Sequence, residues 1–406
     1  MMGRKRKTIA GLDIGTTKVC VVVGEVTPGG VEIIGIGSSP SEGLRKGVVV
    51  NIDNTMDSIR KAVEEAEKLC DCDIRRVYAG VSGSHIKSFN NQGMVVVKGN
   101  EVEDADVQKV IEAAKAIPMP ADREVLHILP QYYVVDDQDG IKDPIGMSGV
   151  RLEVNVHIVT GAVSPVQNVV RSVNGVGLDI NGVVLEQLAA SEAVLSADEK
   201  ELGVALVDIG GGTTDIAVFS EGSVKYTTIL PLGGGYLTND IAIGLRTPVT
   251  EAEKVKIRYG CACTPMIPQD EMIEVPSVGG REPRRVSRQV LGSIIEPRME
   301  EILNLVCREI VKSGFEDRLA AGIVLTGGTA ILEGITELAE HIFNMPVRRG
   351  IPIGVAGPDE IKSPIYATGI GLVLYGAKQS STNGRNEGGL FRGVMKRGRK
   401  WFSSIF

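Results

Sequence analysis

Aromatic residues and positive charge are both scarce in this sequence. Only 4% of its 406 residues are aromatic, with a single tryptophan, and the formal net charge at pH 7 is -7. Proteins that hold single-stranded nucleic acid stack its bases on aromatic side chains, and every nucleic acid is attracted to basic surfaces. We therefore expect no nucleic acid among the partners of this protein.

Long hydrophobic runs are also absent. No stretch reaches the 18 consecutive apolar residues expected of a membrane-spanning helix. The basic start, residues 1–7, is followed within a few positions by glycines and Asp13, which is not the pattern of a signal peptide. The sequence thus predicts neither a transmembrane segment nor a secretory leader.

The six cysteines do not have the spacing of a zinc site. Cys70 and Cys72 form one close pair and Cys261 and Cys263 another, each with one intervening residue. Tetrahedral zinc sites typically use two intervening residues. We predict reduced thiols in a cytosolic protein.

What the sequence does contain is a short motif that occurs twice. Gly11-Leu-Asp-Ile-Gly-Thr-Thr-Lys18 recurs in the second half of the chain as Val207-Asp-Ile-Gly-Gly-Gly-Thr-Thr-Asp215. Each copy predicts a strand that ends at an aspartate and returns through a glycine- and threonine-rich hairpin. One copy alone is explained equally well by a turn between core strands, whereas two copies indicate a duplicated unit.

The residues of both hairpins suit a phosphate. Glycines let backbone N–H groups approach phosphate oxygens without an obstructing Cβ, and threonine hydroxyls add donors. Asp13 and Asp208 are placed to hold a water molecule or Mg²⁺ opposite the same phosphates. Since 406 residues are too many for one core, we predict two related lobes that clamp one nucleotide.

The remaining pattern mixes strands with helices and predicts an α/β fold. Apolar residues recur every three to four positions from Ile52 to Cys70, which predicts an amphipathic helix. Residues 84–159 predict a small inserted α+β subdomain whose helix, over 102–117, ends at prolines. Residues 244–320 predict a second insertion, which we expect to be helical and charged.

Glu186 is the first candidate side chain outside the hairpins. It begins an alanine-rich helix, where a carboxylate is stabilised by the helix dipole and needs no other role. In a phosphate cleft the same carboxylate would orient the water that attacks the γ-phosphate. The sequence leaves both interpretations open.

Two further segments are candidates for the nucleoside. Glu253 and Lys256 lie three residues apart on one predicted helical face, within reach of a ribose or an adenine edge. Thr250 and Glu253 also have the spacing of a capping box, which needs no ligand. Thr326-Gly-Gly-Thr-Ala330 follows an apolar strand, and its glycines would let a flat base lie against the backbone, although any strand–helix turn uses such residues.

The C-terminal segment has a chemistry of its own. A last helix over 368–377 is followed by a polar linker, 379–389, and then by residues 390–406, which include basic but no acidic side chains. At helical pitch these last residues form an apolar stripe opposite a basic face, which is typical of helices that lie in anionic membrane surfaces. Docking on the protein's own core or in a partner's groove is the alternative. The predicted membrane-binding residues are Leu390, Phe391, Val394, Met395, Lys396, Arg397, Trp401, Phe402, Ile405 and Phe406.

Three features together resemble the superfamily of actin, heat-shock chaperones and sugar kinases. They are the two phosphate loops, the helix that begins at Glu186 and the adenosine loop, residues 326–330. Within it the sequence closely resembles the bacterial FtsA cell-division family. The resemblance is most specific in the inserted subdomain, in His127-Ile-Leu-Pro-Gln-Tyr-Tyr133 and in Asp143-Pro-Ile-Gly-Met-Ser-Gly-Val-Arg-Leu-Glu153. It covers the whole globular part and the tail.

The resemblance implies an actin-like (ribonuclease H-like) fold of two lobes with an inserted subdomain 1C. Its subdomains would be 1A (1–83, 160–202 and 367–378), 1C (84–159), 2A (203–243 and 320–366) and 2B (244–319), followed by the linker and the amphipathic helix. It also implies ATP with Mg²⁺ as cofactors, with Asp13 and Asp208 near the metal and Glu186 as the catalytic candidate. The nucleotide-binding residues carried over are Asp13, Gly15, Thr16, Thr17, Lys18, Asp208, Gly210, Gly211, Gly212, Thr213, Thr214, Glu253, Lys256, Gly327, Gly328 and Thr329.

The family's partners are implied in the same way. They are a second copy of the chain in protofilaments, the tubulin-like protein FtsZ through its C-terminal peptide at subdomain 2B, other division proteins, and the cytoplasmic face of the inner membrane at the division septum. ATP hydrolysis is expected to be slow at most. The rival interpretations are a pilus-assembly scaffold related to FtsA and a small-molecule kinase of the superfamily.

Overall fold

The computed structural model describes residues 7–279 and 281–382. The strands in this part of the chain are β1 (Thr8–Ile14), β2 (Lys18–Thr27), β3 (Gly30–Pro40), β4 (Leu44–Arg45), β5 (Val48–Val49), β6 (Arg76–Val81), β7 (Lys87–Val96), β8 (Arg123–Val135), β9 (Gln138–Ile141), β10 (Arg151–Ala162), β11 (Asp179–Leu185), β12 (Val204–Ile209), β13 (Thr214–Ser220), β14 (Ser223–Leu230), β15 (Met272–Val275), β16 (Arg284–Ser287), β17 (Ile323–Thr326), β18 (Val347–Arg349) and β19 (Val355–Ala356).

The helices confirm the mixed α/β character that the sequence predicts. They are α1 (Ile52–Cys70), α2 (Asp104–Lys115), α3 (Val163–Gly175), α4 (Glu186–Val194), α5 (Ala197–Leu202), α6 (Gly234–Gly244), α7 (Val249–Tyr259), α8 (Arg288–Ser313), α9 (Ile335–Phe343) and α10 (Ala367–Thr382). Short 3₁₀ turns join several of these elements, among them Gly328–Ile331 and Pro364–Tyr366.

Two large sheets repeat one arrangement of strands. The first has the order β11-β6-β1-β2-β3-β19 and the second the order β14-β13-β12-β17-β18. In each, an antiparallel hairpin (β1 with β2, β12 with β13) continues antiparallel into a third strand. On its other side the first hairpin strand runs parallel to two further strands. The duplication that the motif predicts therefore extends to five strands of each sheet, and β19 of the first sheet has no counterpart in the second.

Helices α4 and α10 join the two sheets. One hydrophobic cluster includes Leu188 of α4 and Ile370 of α10 together with Val22 of the first sheet and Leu206 and Phe219 of the second. All five side chains are buried. The carboxyl ends of β1 and β12 consequently lie on either side of a shared core, which brings both hairpins to the same region.

The predicted helix from Ile52 to Cys70 is confirmed with the same bounds. The Asn51 side chain caps it by accepting a hydrogen bond from the Asn54 N–H at 3.0 Å, and Asp71 ends it in a left-handed conformation. This turn brings Cys70 and Cys72 together in a disulfide. The expectation that all cysteines are reduced thiols is wrong for this pair.

The inserted subdomain has its own small sheet of order β7-β10-β8-β9, with α2 packed on one face. We call β7, α2, β8, β9 and β10 the inserted module. Its helix spans Asp104–Lys115, two residues shorter at each end than predicted, because Glu103 caps its start and Ala116 leaves the helical conformation.

The second insertion is not helical throughout, which corrects the prediction for residues 244–320. Helices α7 and α8 flank an antiparallel hairpin of β15 and β16. Ile273 and Val275 are buried while their neighbours on β15 are exposed, and this alternation is the period of a strand. The high charge of the segment conceals that short pattern.

Helix α10 continues to Thr382, past the predicted end at residue 377 and into the predicted linker. The rest of the linker and the predicted membrane-binding residues 390–406 lie outside the described residues. Among the residues that are described, no helix combines the length and the apolar character needed to cross a membrane.

Candidate functional site

The two glycine-rich hairpins close in the same way. The Gly15 N–H donates to the Lys18 carbonyl at 3.0 Å, and the Gly210 N–H donates to the Thr213 carbonyl at 2.9 Å. Both loops therefore contain four residues, and the strands leave them in matching register. The two copies of the motif have equal geometry.

This register changes which residues correspond. Thr16 and Thr17 occupy the places that Gly211 and Gly212 occupy in the second loop. Thr214 is the first residue of β13, and its hydroxyl donates to the Leu232 carbonyl at 2.8 Å. The two Thr-Thr pairs of the motif are consequently not equivalent, and Thr214 lies behind the tip rather than on it.

The tips of the two hairpins touch each other. A Cβ at Gly211 would lie 2.9 Å from Thr17 Oγ1, and a Cβ at Gly212 would lie 2.9 Å from the Thr16 Cβ. Any larger residue in the second loop would displace the first. The residue difference between the copies thus lets the tips approach closely, which places both sets of backbone N–H groups at one site.

Four carboxyl groups surround these tips. Burial raises the pKa of Asp13 to about 6, that of Asp208 to about 7 and that of Asp215 to about 6. Burial also raises the pKa of Glu186 well above its usual value, and the other three carboxylates add to this shift. Such mutual repulsion shows that the four groups share one electrostatic environment. Asp13, Asp208 and Glu186 are among the predicted site residues.

Asp215 is the member that sequence reasoning missed. It pairs with Asp208 across the second hairpin, and the corresponding residue of the first hairpin is Cys20, which pairs with Asp13. The first copy of the repeat therefore has a thiol where the second copy has a carboxylate. Asp215 is the last residue of the repeated motif, so its position was a signal that could have identified it.

Hydroxyl groups from the first half of the fold hold the carboxylates of the second. Ser82, directly after β6, donates to Asp215 Oδ1, and Thr368 in α10 donates to Asp208 Oδ2 at 3.1 Å. Sequence reasoning missed both hydroxyls. Ser82 follows a strand parallel to β1, so it lies at the same sheet edge as Asp13, and that placement was a usable signal. Thr368 offered none.

Lys18 is the cation next to this cluster. Its Nζ donates to the Ile365 carbonyl at 2.9 Å and lies 4.5 Å from the centre of the Tyr366 ring. Its charge opposes the effect of burial on the pKa of Asp13 and of Asp208. The predicted phosphate ligand is thus fixed by the turn before α10 and acts on the carboxylates as a nearby positive charge.

The structure brings the predicted adenosine residues to the second hairpin. The Gly210 carbonyl accepts hydrogen bonds from the Gly234 N–H at 2.8 Å and from Thr329 Oγ1 at 3.1 Å. Lys256 Nζ donates to the Gly234 carbonyl at 3.1 Å and to Glu253 Oε2 at 2.7 Å. These five residues form one continuous wall beside the loop.

Glu253 has no capping role. Helix α7 begins after Pro248, so Thr250 is its second residue and makes no cap. The capping-box interpretation is wrong because proline, with its fixed φ, sets the start of the helix earlier. The Glu253 carboxylate is instead bound by Lys256 and by the Thr238 hydroxyl.

Gly327, directly after strand β17, lies against Asp208 on another side of the candidate site. Strand β17 is parallel to β12 and places Thr326 beside Asp208. Gly327 has φ +85, and a Cβ there would collide with Asp208 Oδ1 and lie 2.7 Å from the Ile209 carbonyl. Gly328 has room for a side chain, since its nearest neighbour would be Ile365 Cγ2 at 3.9 Å. Of the two predicted glycines, only Gly327 is required by close approach to the carboxylates.

The donor set fits Mg²⁺ held together with a phosphate. Carboxylate oxygens are hard ligands, and Mg²⁺ usually takes one or two of them while waters and substrate phosphates complete its octahedron. Within the described residues, no three His, Cys, Asp or Glu side chains are close enough to hold a metal by themselves.

Solved structures with the same fold define the class of this protein. The pilus-biogenesis complex of PilM and PilN matches with a TM-score of 0.67 at 19% identity, covering 91% of this chain and 99% of that chain. The ADP-bound MreB5 of Spiroplasma citri matches with a TM-score of 0.56 at 14% identity, covering 94% of this chain and 99% of that chain. The fold is actin-like, as predicted.

Sequence relatives identify the family. The model for cell division protein FtsA matches residues 205–371, and the model for the SHS2 domain inserted in FtsA matches residues 83–160. Cell division protein FtsA of Pseudomonas aeruginosa is 52% identical over 92% of this chain and 90% of its own length. The Escherichia coli FtsA is 44% identical over 94% of this chain and 93% of its own length. The chain belongs to the FtsA family of cell division proteins.

Buried carboxyl groups with raised pKa values make stability depend on pH. Asp215 binds its proton more tightly in the folded chain, with a pKa of about 6, than in the unfolded chain, where it is near 3.8. Protonated Asp215 therefore stabilises the folded chain at low pH. The free energy of unfolding falls by about 1–3 kcal/mol as the pH rises from about 4 to about 6 and this proton is lost. We expect Asp215→Asn to lose less stability over this range than the wild-type protein.

The measurement is the free energy of unfolding in urea at several pH values between 4 and 7.5. Asp57→Asn, which removes an exposed carboxylate on α1, is the matched control. Parallel curves for Asp215→Asn and the wild type would show that no protonated carboxyl is buried at this position.

Proposed function

We propose that the cleft binds ATP with Mg²⁺ between the two duplicated hairpins. One observation carries this proposal: two loops of equal geometry, one from each half of the fold, meet tip to tip among buried carboxylates. The Gly15 and Gly210 N–H groups close the two loops, so the backbone N–H groups of Thr16 and Thr17 on one side, and of Gly211 and Gly212 on the other, would hold the phosphates. The Thr213 hydroxyl lies beside them.

Asp13 and Asp208 are the residues that would hold Mg²⁺, directly or through water. The cation would neutralise the phosphate charge. Its charge would also favour the ionised form of both carboxyl groups, whose pKa values are now raised by burial. Asp215, held by the hydroxyl of Ser82, would stay beside these two carboxylates without binding the metal itself.

Glu186 is the residue we propose to orient the attacking water. It begins α4 between the two hairpins, and its pKa is raised by burial and by three neighbouring carboxylates. We propose that hydrolysis is slow at most and that ATP mainly sets the conformation of the protein.

The nucleoside would lie against the wall formed by Glu253, Lys256, Gly327, Gly328 and Thr329. Lys256 and Glu253 are already fixed by a mutual ion pair and by α6, so their polar atoms are oriented before a ligand arrives. The MreB5 structure, which has the same fold, was solved with ADP bound, which supports nucleotide binding by a protein of this fold.

For the cell-division role we propose that this protein polymerises and binds the C-terminal peptide of FtsZ at the second insertion, residues 244–319. Ile257 is 75% exposed there and Ile243, just before the insertion, is 77% exposed, so both side chains are accessible to the apolar residues of a peptide. Of the nearby basic residues, Arg288 is bound to Glu271 and Glu333. Arg281 and Arg285 are exposed, and we propose them as the basic residues that attract an acidic peptide.

We further propose that residues 390–406 tether these polymers, and FtsZ with them, to the cytoplasmic face of the inner membrane at the septum. The segment carries five basic side chains and no acidic one, and each basic residue adds about 1 kcal/mol of attraction to anionic lipid. One helix binds weakly, but many in a polymer bind through effective concentration. A small-molecule kinase would gain nothing from such a tail.

The proposed metal role of Asp208 predicts that Asp208→Asn changes ATP affinity in opposite directions without and with Mg²⁺. Asp208→Asn removes a charge that repels phosphate, so ATP affinity without Mg²⁺ should rise. With Mg²⁺ the same variant loses a carboxylate from the metal site, and ATP affinity should fall by at least about tenfold. Isothermal titration with Mg²⁺ and with EDTA measures both.

The control for this titration is Asp198→Asn, which removes an exposed carboxylate from the first turn of α5. It should leave both affinities within error of the wild type. If Asp208→Asn keeps the wild-type ratio between the ATP affinities measured with and without Mg²⁺, the carboxylate has no part in holding a metal.

The proposed membrane tether, residues 390–406, makes a separate prediction. A variant ending at residue 389 should lose most of its co-sedimentation with vesicles that contain anionic lipid, because both the apolar stripe and the basic face are removed. The full chain should also detach as salt is raised, since salt screens the basic residues. Leu69→Glu, a charge placed at an exposed apolar position of α1, is the control. An unchanged bound fraction for the shortened chain would contradict the tether.

A further inference from the structure

The inserted module is connected by the chain to the first half of the fold but also lies against the second. It leaves the first sheet after β6 and returns to it through α3. Yet its sheet packs beside β14, the edge strand of the second sheet. An uncovered edge strand presents unpaired backbone groups, which proteins commonly cover.

Side chains of the module cover that edge by hydrogen bonds. Ser88 Oγ donates to the Thr227 carbonyl at 2.7 Å, and Asn90 Nδ2 donates to the Lys225 carbonyl at 3.2 Å. Gln131 Nε2 donates to the Val224 carbonyl at 2.8 Å. Three strand carbonyls of the second half are thus bound by two strands of the module.

His157 lies at the centre of this contact and is 1% exposed. Its Nδ1 is 2.6 Å from Asn90 Oδ1 and its Nε2 is 2.9 Å from Thr227 Oγ1. Because the Asn90 amide nitrogen already donates to the strand, its oxygen must accept, so His157 Nδ1 carries the proton. Nε2 then accepts from the Thr227 hydroxyl. Burial lowers the pKa of His157 to about 4, which keeps the ring neutral and this arrangement intact.

His127 makes the corresponding contact with the first half. The Leu185 N–H, at the end of edge strand β11, donates to His127 Nε2 at 3.0 Å. The ring also lies edge-on to Tyr375 of α10, with ring centres 6.4 Å apart. Leu185 directly precedes Glu186, so this imidazole of the module supports the turn that carries a carboxylate of the cleft.

We propose that the inserted module is a clasp across the two halves of the fold, fastened to β11 by His127 and to β14 by His157, Ser88, Asn90 and Gln131. Because one sheet is hydrogen-bonded to the edges of both large sheets, the halves cannot separate without breaking one set of bonds. Opening of the cleft and release of the module are therefore one event. The clasp itself does not depend on the proposed nucleotide, and only its effect on nucleotide release rests on that proposal.

The test replaces Thr227 by valine, which keeps the branched shape and removes the hydroxyl partner of His157. Thr228→Val is the matched control: alternate side chains of a strand face opposite ways, and the neighbouring Tyr226 donates to Glu309 of α8 at 2.7 Å, on the face away from the module. Hydrogen exchange of the full chain is then measured by mass spectrometry. We expect Thr227→Val to speed exchange about tenfold in both residues 87–92 and 223–230.

Ser88→Ala removes one partly exposed hydrogen bond, so hydrogen exchange should also increase in both segments, by a smaller factor. If Thr227→Val does not fold, this variant tests the clasp in its place. An increase confined to one segment, or equal in Thr228→Val, overturns the clasp.

The second arm measures ATP release with a fluorescent analogue. Release should be several-fold faster from Thr227→Val than from Thr228→Val, because the cleft opens more often. Equal release rates overturn the coupling to the cleft. If the wild type binds no ATP, the proposed function fails, and the exchange measurement still decides the clasp.

Discussion

Burial of four neighbouring carboxyl groups is the constraint around which the cleft is organised. Asp13, Asp208, Asp215 and Glu186 come from both halves of the fold, and burial raises the pKa of each. Such a cluster persists only if the surrounding packing enforces it. Here the shared core around α4 and α10 does so, while Lys18 and two hydroxyl groups supply partial compensation. A ligand that brings a divalent cation would complete this compensation of the negative charge.

The two halves are duplicated in backbone but not in side chains, and the differences follow from their meeting. The second loop has glycines where the first has threonines, since only one of two touching tips can carry side chains. The second hairpin has Asp215 where the first has Cys20. An asymmetric ligand such as the proposed nucleotide would therefore meet different groups on its two sides.

Much of the fold and part of the site could be predicted from the sequence. The repeated motif predicts the hairpins and their aspartates because local turn chemistry and strand pattern determine them. The same holds for α1, whose caps and apolar spacing are local. Ser82 and Thr368 were missed because their partners are more than a hundred residues away, and only the folded sheets bring them together. The hairpin of β15 and β16 was missed because a short alternation is masked by charge.

The most direct measurement of the central claim is a crystal structure of the full chain with Mg²⁺ and a non-hydrolysable ATP analogue. This account predicts that the triphosphate lies between residues 15–17 and 210–212, with the metal beside Asp13 and Asp208 and the base against Gly327 and Lys256. A triphosphate bound elsewhere, with the two hairpin tips still touching each other, would contradict it.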